Sequence, residues 1–233
     1  MRADPAITLA DVTFAYGPDT PTVLESVNLE IPQGAVTVIV GASGGGKSTL
    51  LSMLNGLIPT FISGEFTGSI QAGETDLTAT RTNAVADTIG MVLQDYEAQL
   101  FGTSVTAEVA FGPENLGVDP AKIDARIEQA LALADLTELD RRRPPSSLSG
   151  GQKQRLVIAG VAAMEPSIMI LDEPTSDLDP AGTEALLEVL QRVRSSDTPD
   201  GWAGPETVVM VTHAVEEAIG ADHIIMLADG DVA

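Results

Sequence analysis

Eight consecutive residues, Gly41-Ala42-Ser43-Gly44-Gly45-Gly46-Lys47-Ser48, fit the pattern G-x-x-x-x-G-K-[ST]. Glycines at these places let main-chain N–H groups converge on phosphate oxygens, and a helix that starts at the lysine adds its dipole to the attraction for an anion. Lys47 has the reach for the β- and γ-phosphates of a nucleotide, and the Ser48 hydroxyl suits Mg²⁺. A second constellation is Ile168-Met169-Ile170-Leu171-Asp172-Glu173, an apolar run that ends in two adjacent carboxylates. An acid at the tip of a buried strand can hold Mg²⁺ directly or through water, and a carboxylate beside it can orient or deprotonate an attacking water. Taken singly, a glycine stretch is a flexible turn and Asp-Glu after a strand is a polar bend. Their joint occurrence points to phosphate chemistry.

Both constellations need a scaffold that holds them at strand ends. Ile7–Tyr16 and Val23–Ile31 alternate apolar and polar side chains on either side of a Gly-Pro-Asp turn, which predicts an antiparallel opening. Ala35–Val40 is almost wholly apolar and suits a buried parallel strand, and Lys47–Leu57 follows with helical spacing. Short strands and turns fill Thr67–Thr82, and Ile89–Leu93 reads as another buried strand. Residues Val105–Arg155 then hold helical stretches, including Ala121–Leu133, broken by Pro113, Pro120 and Pro144-Pro145. Strands are expected again at Ile168–Leu171, Val208–Val211 and His223–Leu227, with a helix over about Pro180–Arg194. The polar segment Ser195–Pro205, which carries the single tryptophan, reads as a mobile surface loop. The predicted class is α/β: an antiparallel β subdomain and an α/β core with an inserted helical subdomain.

Composition narrows the range of functions. The 233 residues carry 12 Lys and Arg against 34 Asp and Glu, a net charge of −22, which disfavours a broad nucleic-acid face. The one short basic run, Arg141–Arg143, reads as a solvated turn. With no cysteine there is neither a disulfide nor a thiolate metal site. No apolar run approaches the roughly 18 residues of a membrane-spanning helix, so a membrane role would be borrowed from a partner.

Leu148-Ser149-Gly150-Gly151-Gln152, continuing into Lys153-Gln154-Arg155, matches the LSGGQ signature of ABC ATPases. Physically it is a second helix start, with Ser149 as cap and glycines that permit close approach to an anion. The resemblance extends over nearly the whole chain and implies a P-loop NTPase of ABC type over residues 1–233, with a RecA-like core at about 1–95 and 160–233 and a helical subdomain at about 96–159. It implies that ATP is gripped by Tyr16, stacked on the adenine, and by Gly41, Ala42, Ser43, Gly44, Gly45, Gly46, Lys47, Ser48 and Thr49. Glu173, His213 and Gln94 take the catalytic positions, and Ser48, Gln94 and Asp172 the Mg²⁺ positions. Ser149, Gly150, Gly151 and Gln152 contact ATP held by a second ATPase domain, as does Asp179 of the Ser176–Asp179 loop.

Gln94-Asp95-Tyr96-Glu97-Ala98-Gln99-Leu100-Phe101, followed by Phe111-Gly112-Pro113-Glu114-Asn115-Leu116-Gly117, resembles the ATPases of energy-coupling factor (ECF) transporters, which import vitamins and metal ions. Tyr96 stands where proline is common in that group, which bears on the shape of the coupling loop. Asn55-Gly56-Leu57-Ile58-Pro59 is similar to members in which two ATPase halves are fused. The resemblance implies a second ATPase domain as partner, transmembrane coupling and substrate-binding subunits, no nucleic acid, and a peripheral place on the cytoplasmic face of the cell membrane. Family members usually continue past the point corresponding to Ala233, so a fragment of a longer polypeptide is expected. The alternatives are the ATPase of a conventional ABC importer, or a soluble ABC ATPase acting on nucleic acid or ribosomes.

Overall fold

Alternating apolar side chains give a strand one face to bury, and the first two strands set theirs side by side on one face of a sheet. In the computed structural model, which describes residues 4–176, 178, 180–194, 204–213, 218 and 220–232, β1 (Pro5–Ala15) runs antiparallel to β2 (Thr22–Pro32). Leu9 faces Leu29 and Phe14 faces Leu24 across the pair, and all four are buried. β4 (Glu65–Ala72) flanks β1 on its other side, β5 (Thr75–Asp76) follows, and the sheet order is β2-β1-β4-β5.

The chain divides into two units, Met1–Ile89 with Thr207–Ala233, and Gly90–Glu206. The first unit contains that antiparallel sheet and a group of parallel strands. β3 (Val36–Val40) lies between β8 (Thr207–Thr212) and β9 (His223–Ala228), parallel to both, and β10 (Asp231–Val232) turns back antiparallel on β9. Every residue of β8 is buried, and so are the last four of β3, which is why both read as nearly continuous apolar runs, interrupted only by the buried Thr37, Thr207 and Thr212, rather than as alternations. α1 (Lys47–Leu54) follows β3. It ends three residues before the apolar spacing suggests, because Gly56 adopts φ +74° and the Ile58 N–H returns to the Ser52 carbonyl at 2.9 Å.

The second unit holds β6 (Ile89–Val92), whose first residue lies at the boundary, its neighbour β7 (Ile168–Asp172), and four helices: α2 (Val105–Asn115), α3 (Pro120–Leu133), α4 (Gly150–Ala162) and α5 (Pro180–Arg194). Val105 and Val109 of α2, Ile127 and Leu131 of α3, and Leu156 and Ala159 of α4 form one buried cluster. The helical spacing at 123, 127 and 131 therefore marks the face that packs. The prolines act differently from one another. Pro120 occupies the first turn of α3 behind the Asp119 cap, where its missing N–H costs nothing. Pro113 lies inside α2 rather than breaking it. It sits two residues from the helix end with its ring buried, so only the single bond to the carbonyl four residues back is forfeited. The Arg141–Arg143 run is more than a solvated turn. Arg141 grips Glu128 in a bidentate pair, one arm at 2.6 Å, and this hydrogen bond lowers the Glu128 pKa and raises that of Arg141. Arg143 donates to the Ser147 hydroxyl at 3.2 Å and to its carbonyl at 2.8 Å. Trp202 and residues 195–203 of the expected loop lie outside the described residues.

Candidate active site

In the first unit the register of the parallel strands sets out one edge. Val40 pairs with Thr212 and with Met226, so Gly41 and His213 leave the carboxyl ends of adjacent strands side by side. His213 is exposed there. The chain needs glycine at 41 for space: a Cβ would stand 2.3 Å from the Leu227 carbonyl oxygen. It needs glycine at 46 for conformation as well, since φ is +95° and a Cβ would meet Leu24 at 3.0 Å and the Val23 carbonyl at 3.1 Å. Gly46 is the N-cap of α1, and glycine has no side-chain acceptor to offer the first N–H groups of the helix. A phosphate is an anion of the kind that supplies such an acceptor.

Lys47 is buried, and its ammonium donates to the carbonyls of Gly41 at 2.9 Å and Ala42 at 3.1 Å, which curls the loop around the cation. Ala42, Ser43, Gly44 and Ser48 are exposed, while Gly45 is half-buried and its N–H donates to the Ala42 carbonyl at 3.1 Å. Tyr16 stands at the end of β1 with about half its surface exposed. Its hydroxyl lies 2.9 Å from that of Thr49, and its ring meets Phe14 edge-on at 5.0 Å. Tyr16, Gly41–Thr49 and His213 thus all belong to the first unit.

In the second unit β7 delivers Asp172 and Glu173, both half-buried at the strand tip. Glu173 has φ +42°, a region that a non-glycine residue enters at a cost, and such strain gathers at functional positions. The turn is held by the Ser176 N–H and hydroxyl, which donate to the Glu173 carbonyl at 3.2 and 3.0 Å. The Gln94 amide reaches the Glu173 carboxylate at 3.3 Å, so two residues 79 apart in sequence meet at the side-chain level. Gln94 follows β6, where Gln99 fastens the strand end by accepting from the Leu93 N–H at 2.7 Å and donating to the Met91 carbonyl at 3.0 Å. Tyr96 is buried and its N–H donates to the Gln94 carbonyl at 3.0 Å, a bond that proline at this position would lack.

Ser149 caps α4 through a capping box: the Gln152 N–H donates to the Ser149 hydroxyl at 3.3 Å, and the Gln152 side chain accepts from the Ser149 N–H at 3.1 Å. Ser149 and Gly150 are exposed. Asp179, like Asp177, lies outside the described residues. Ser48, Gln94 and Asp172 are all oxygen donors, hard ligands of the kind that suit Mg²⁺.

The sequence profile of the ABC transporter family matches residues 24–176. The chain belongs to the ABC transporter family. It has the α/β P-loop fold of that family. The chain is 41% identical to an ABC transporter ATP-binding relative from Caldanaerobacter subterraneus subsp. tengcongensis, over 99% of this chain and 39% of that protein. It is 38% identical to the energy-coupling factor transporter ATP-binding protein EcfA2 of Latilactobacillus sakei, over 97% of this chain and 77% of that protein. Among solved structures, cbiO1 of Clostridium perfringens, part of the ABC transporter complex cbiONQ, superposes with a TM-score of 0.85 at 31% identity, covering 99% of this chain and 87% of that one. The ATP-binding cassette MJ0796, in a dimeric post-hydrolysis state bound to ADP and Pi, gives 0.79 at 30% identity, with 97% and 96% covered. The chain spans about two fifths of the length of several of the curated relatives that it matches.

Two residues that hold this ABC-family chain together escape motif reading. Gln154 is buried in α4 and its amide donates to the Pro174 carbonyl, next to Glu173. Its sign in the sequence is an amide within the helical stripe 154, 157, 158, 161, whose other members are apolar and buried. Glu108 is buried in α2 and accepts the N–H groups of Phe101 at 3.0 Å and Gly102 at 2.6 Å. Nothing in the local pattern marks it.

Proposed function

We propose that this chain is the ATPase of an ECF-type importer, in which two ABC domains close on Mg-ATP and the closure drives a membrane partner. The observation that carries this reading is the 38% identity to EcfA2 of Latilactobacillus sakei along 97% of the chain. The second ATPase domain is another copy, a paralogue, or the other half of a longer polypeptide. We assign the RecA-like core to residues 1–95 and 160–233 and the helical subdomain to 96–159. The place of work is the cytoplasmic face of the membrane, peripherally; among the described residues no helix is long and apolar enough to cross a bilayer.

In this reading Tyr16 stacks on the adenine, and the main chain of residues 41–46 with Lys47 and Thr49 neutralises the phosphates. Mg²⁺, held by Ser48, Gln94 and Asp172, supplies charge neutralisation to the phosphate oxygens. Glu173 orients the attacking water and draws its proton, Gln94 holds the Glu173 carboxylate in place, and His213 contacts the terminal phosphate. Ser149–Gln152 of one domain, with Asp179, seal the nucleotide held by the other. Support comes from the uncapped start of α1, the left-handed Glu173 and the Gln94–Glu173 contact.

Affinity capture of the tagged chain from membranes of its own host tests the transport reading. A small hydrophobic membrane protein retained with the chain is expected. Ribosomes or DNA retained instead would overturn the reading, and a transporter that also requires a periplasmic binding protein would place the chain with conventional importers.

A further inference from the structure

The 3-10 turn Tyr96–Gln99 lies between Gln94 and the start of α4, and none of the hydrolytic roles uses it. Tyr96 is bound through its N–H to the Gln94 carbonyl, and its hydroxyl faces α4, where a Cβ placed on Gly150 would stand 3.2 Å from that oxygen. One residue on, the Glu97 carboxylate holds the Lys153 ammonium at 2.6 Å. The Lys153 main chain in turn closes the first turn of α4 on the Ser149 carbonyl at 2.8 Å. On the far side, Gln154 donates to the Pro174 carbonyl and Gln94 to the Glu173 carboxylate. These contacts close a ring within the second unit. It runs from Gln94 through Tyr96 and Glu97 into α4, and back through Gln154 and Pro174 to Glu173.

We infer that the Glu97–Lys153 pair, with Tyr96 against Gly150, is a positioning device that fixes the Ser149 cap to the Gln94–Glu173 pair. The state of the acid in one nucleotide site is thereby passed to the seal over the other. The inference rests on the reading above, in which Glu173 serves the chain's own nucleotide and Ser149 that of the partner domain. The ring is rigid where it needs to be: Tyr96 and Gln154 are buried, and the turn is pinned to β6 by Gln99. Glu97 is more than half exposed, so the ion pair adds little to stability and its loss leaves the fold intact. Its effect is geometric. It selects one orientation of the turn relative to the helix start, and a link of this kind couples two sites without touching nucleotide.

The test is ATP hydrolysis as a function of ATP concentration by the chain together with its second ATPase domain, for the parent, for Glu97→Gln, for Lys153→Met, and for the exchanged pair Glu97→Lys with Lys153→Glu. The parent is expected to be cooperative. Each single variant is expected to lose the cooperativity and about tenfold in kcat, while half-saturating ATP shifts by less than about twofold, because the glycine loop is untouched. The exchanged pair is expected to recover most of both, which a merely structural role would not produce. Tyr96→Phe, which keeps the ring and removes the hydroxyl, falls between parent and single variants. A parent without cooperativity, single variants at the parent values, or an exchanged pair no better than either single variant would overturn the coupling. A parent that does not hydrolyse ATP at all overturns the underlying reading instead.

Discussion

The chain presents two glycine-rich helix starts, and they are finished in opposite ways. α1 begins at Gly46, which has no side chain to cap it, and a buried lysine curls the preceding loop around its ammonium. α4 begins at Ser149, whose hydroxyl and N–H are both engaged with Gln152 in a reciprocal box. An uncapped start leaves main-chain donors for a ligand, whereas a boxed start satisfies its own donors and keeps only the outer side of the hydroxyl and the glycine backbone for a visitor. The first is built to hold an anion continuously. The second satisfies its own donors and keeps an exposed glycine backbone, which fits the proposed seal over another domain's nucleotide.

The comparison breaks most sharply at Lys47. Lys47→Ala removes the cation of the uncapped start, and calorimetry is expected to show ATP affinity lowered by about 10- to 100-fold, the value of a charge-assisted phosphate contact. An unchanged affinity would mean that the loop binds no phosphate. Ser149→Ala addresses the other start. Losing the cap is expected to cost α4 about 1 kcal/mol, read as a lower denaturation midpoint, with a fall in hydrolysis. A stability loss with hydrolysis intact would leave the box purely structural. The smallest effect is global. With a charge of −22 on this chain, association with a second acidic copy should strengthen as salt rises to about 0.1 M, where like charges more than about 10 Å apart are screened. Sedimentation at several salt concentrations checks this, and a flat response counts against like-charge repulsion as the opposing force.

Much of this was legible from residues. The strands at 36–40, 168–172 and 207–212 announce themselves as mostly apolar runs because nearly all their residues are buried, and helix α3 shows its packed face as a four-residue spacing. The glycine loop is legible because its geometry tolerates few other residues. Other features depend on chain folding over long distances. The contact between Gln94 and Glu173, the Glu97–Lys153 pair and the Gln154 bond to Pro174 join residues 79, 56 and 20 apart, and no periodicity records such meetings. The left-handed turn at Glu173 is hidden for a different reason: glutamate has no preference for it, and the surrounding bonds impose it. Helix ends are the third case, since Gly56 stops α1 although the apolar spacing runs on to Leu57, and Pro113 fails to stop α2.

The proposed chemistry has Glu173 activate the water for a triphosphate gripped at residues 41–48 and sealed by a second domain. Sedimentation of the Glu173→Gln chain with its second ATPase domain, with and without ATP and Mg²⁺, tests it most directly when phosphate release is measured on the same samples. Nucleotide is expected to bring the two domains into one species in which ATP persists unhydrolysed, with turnover lowered by at least about 100-fold, and adding Lys47→Ala is expected to abolish the association. Hydrolysis at the parent rate, or sedimentation unchanged by nucleotide, would contradict it.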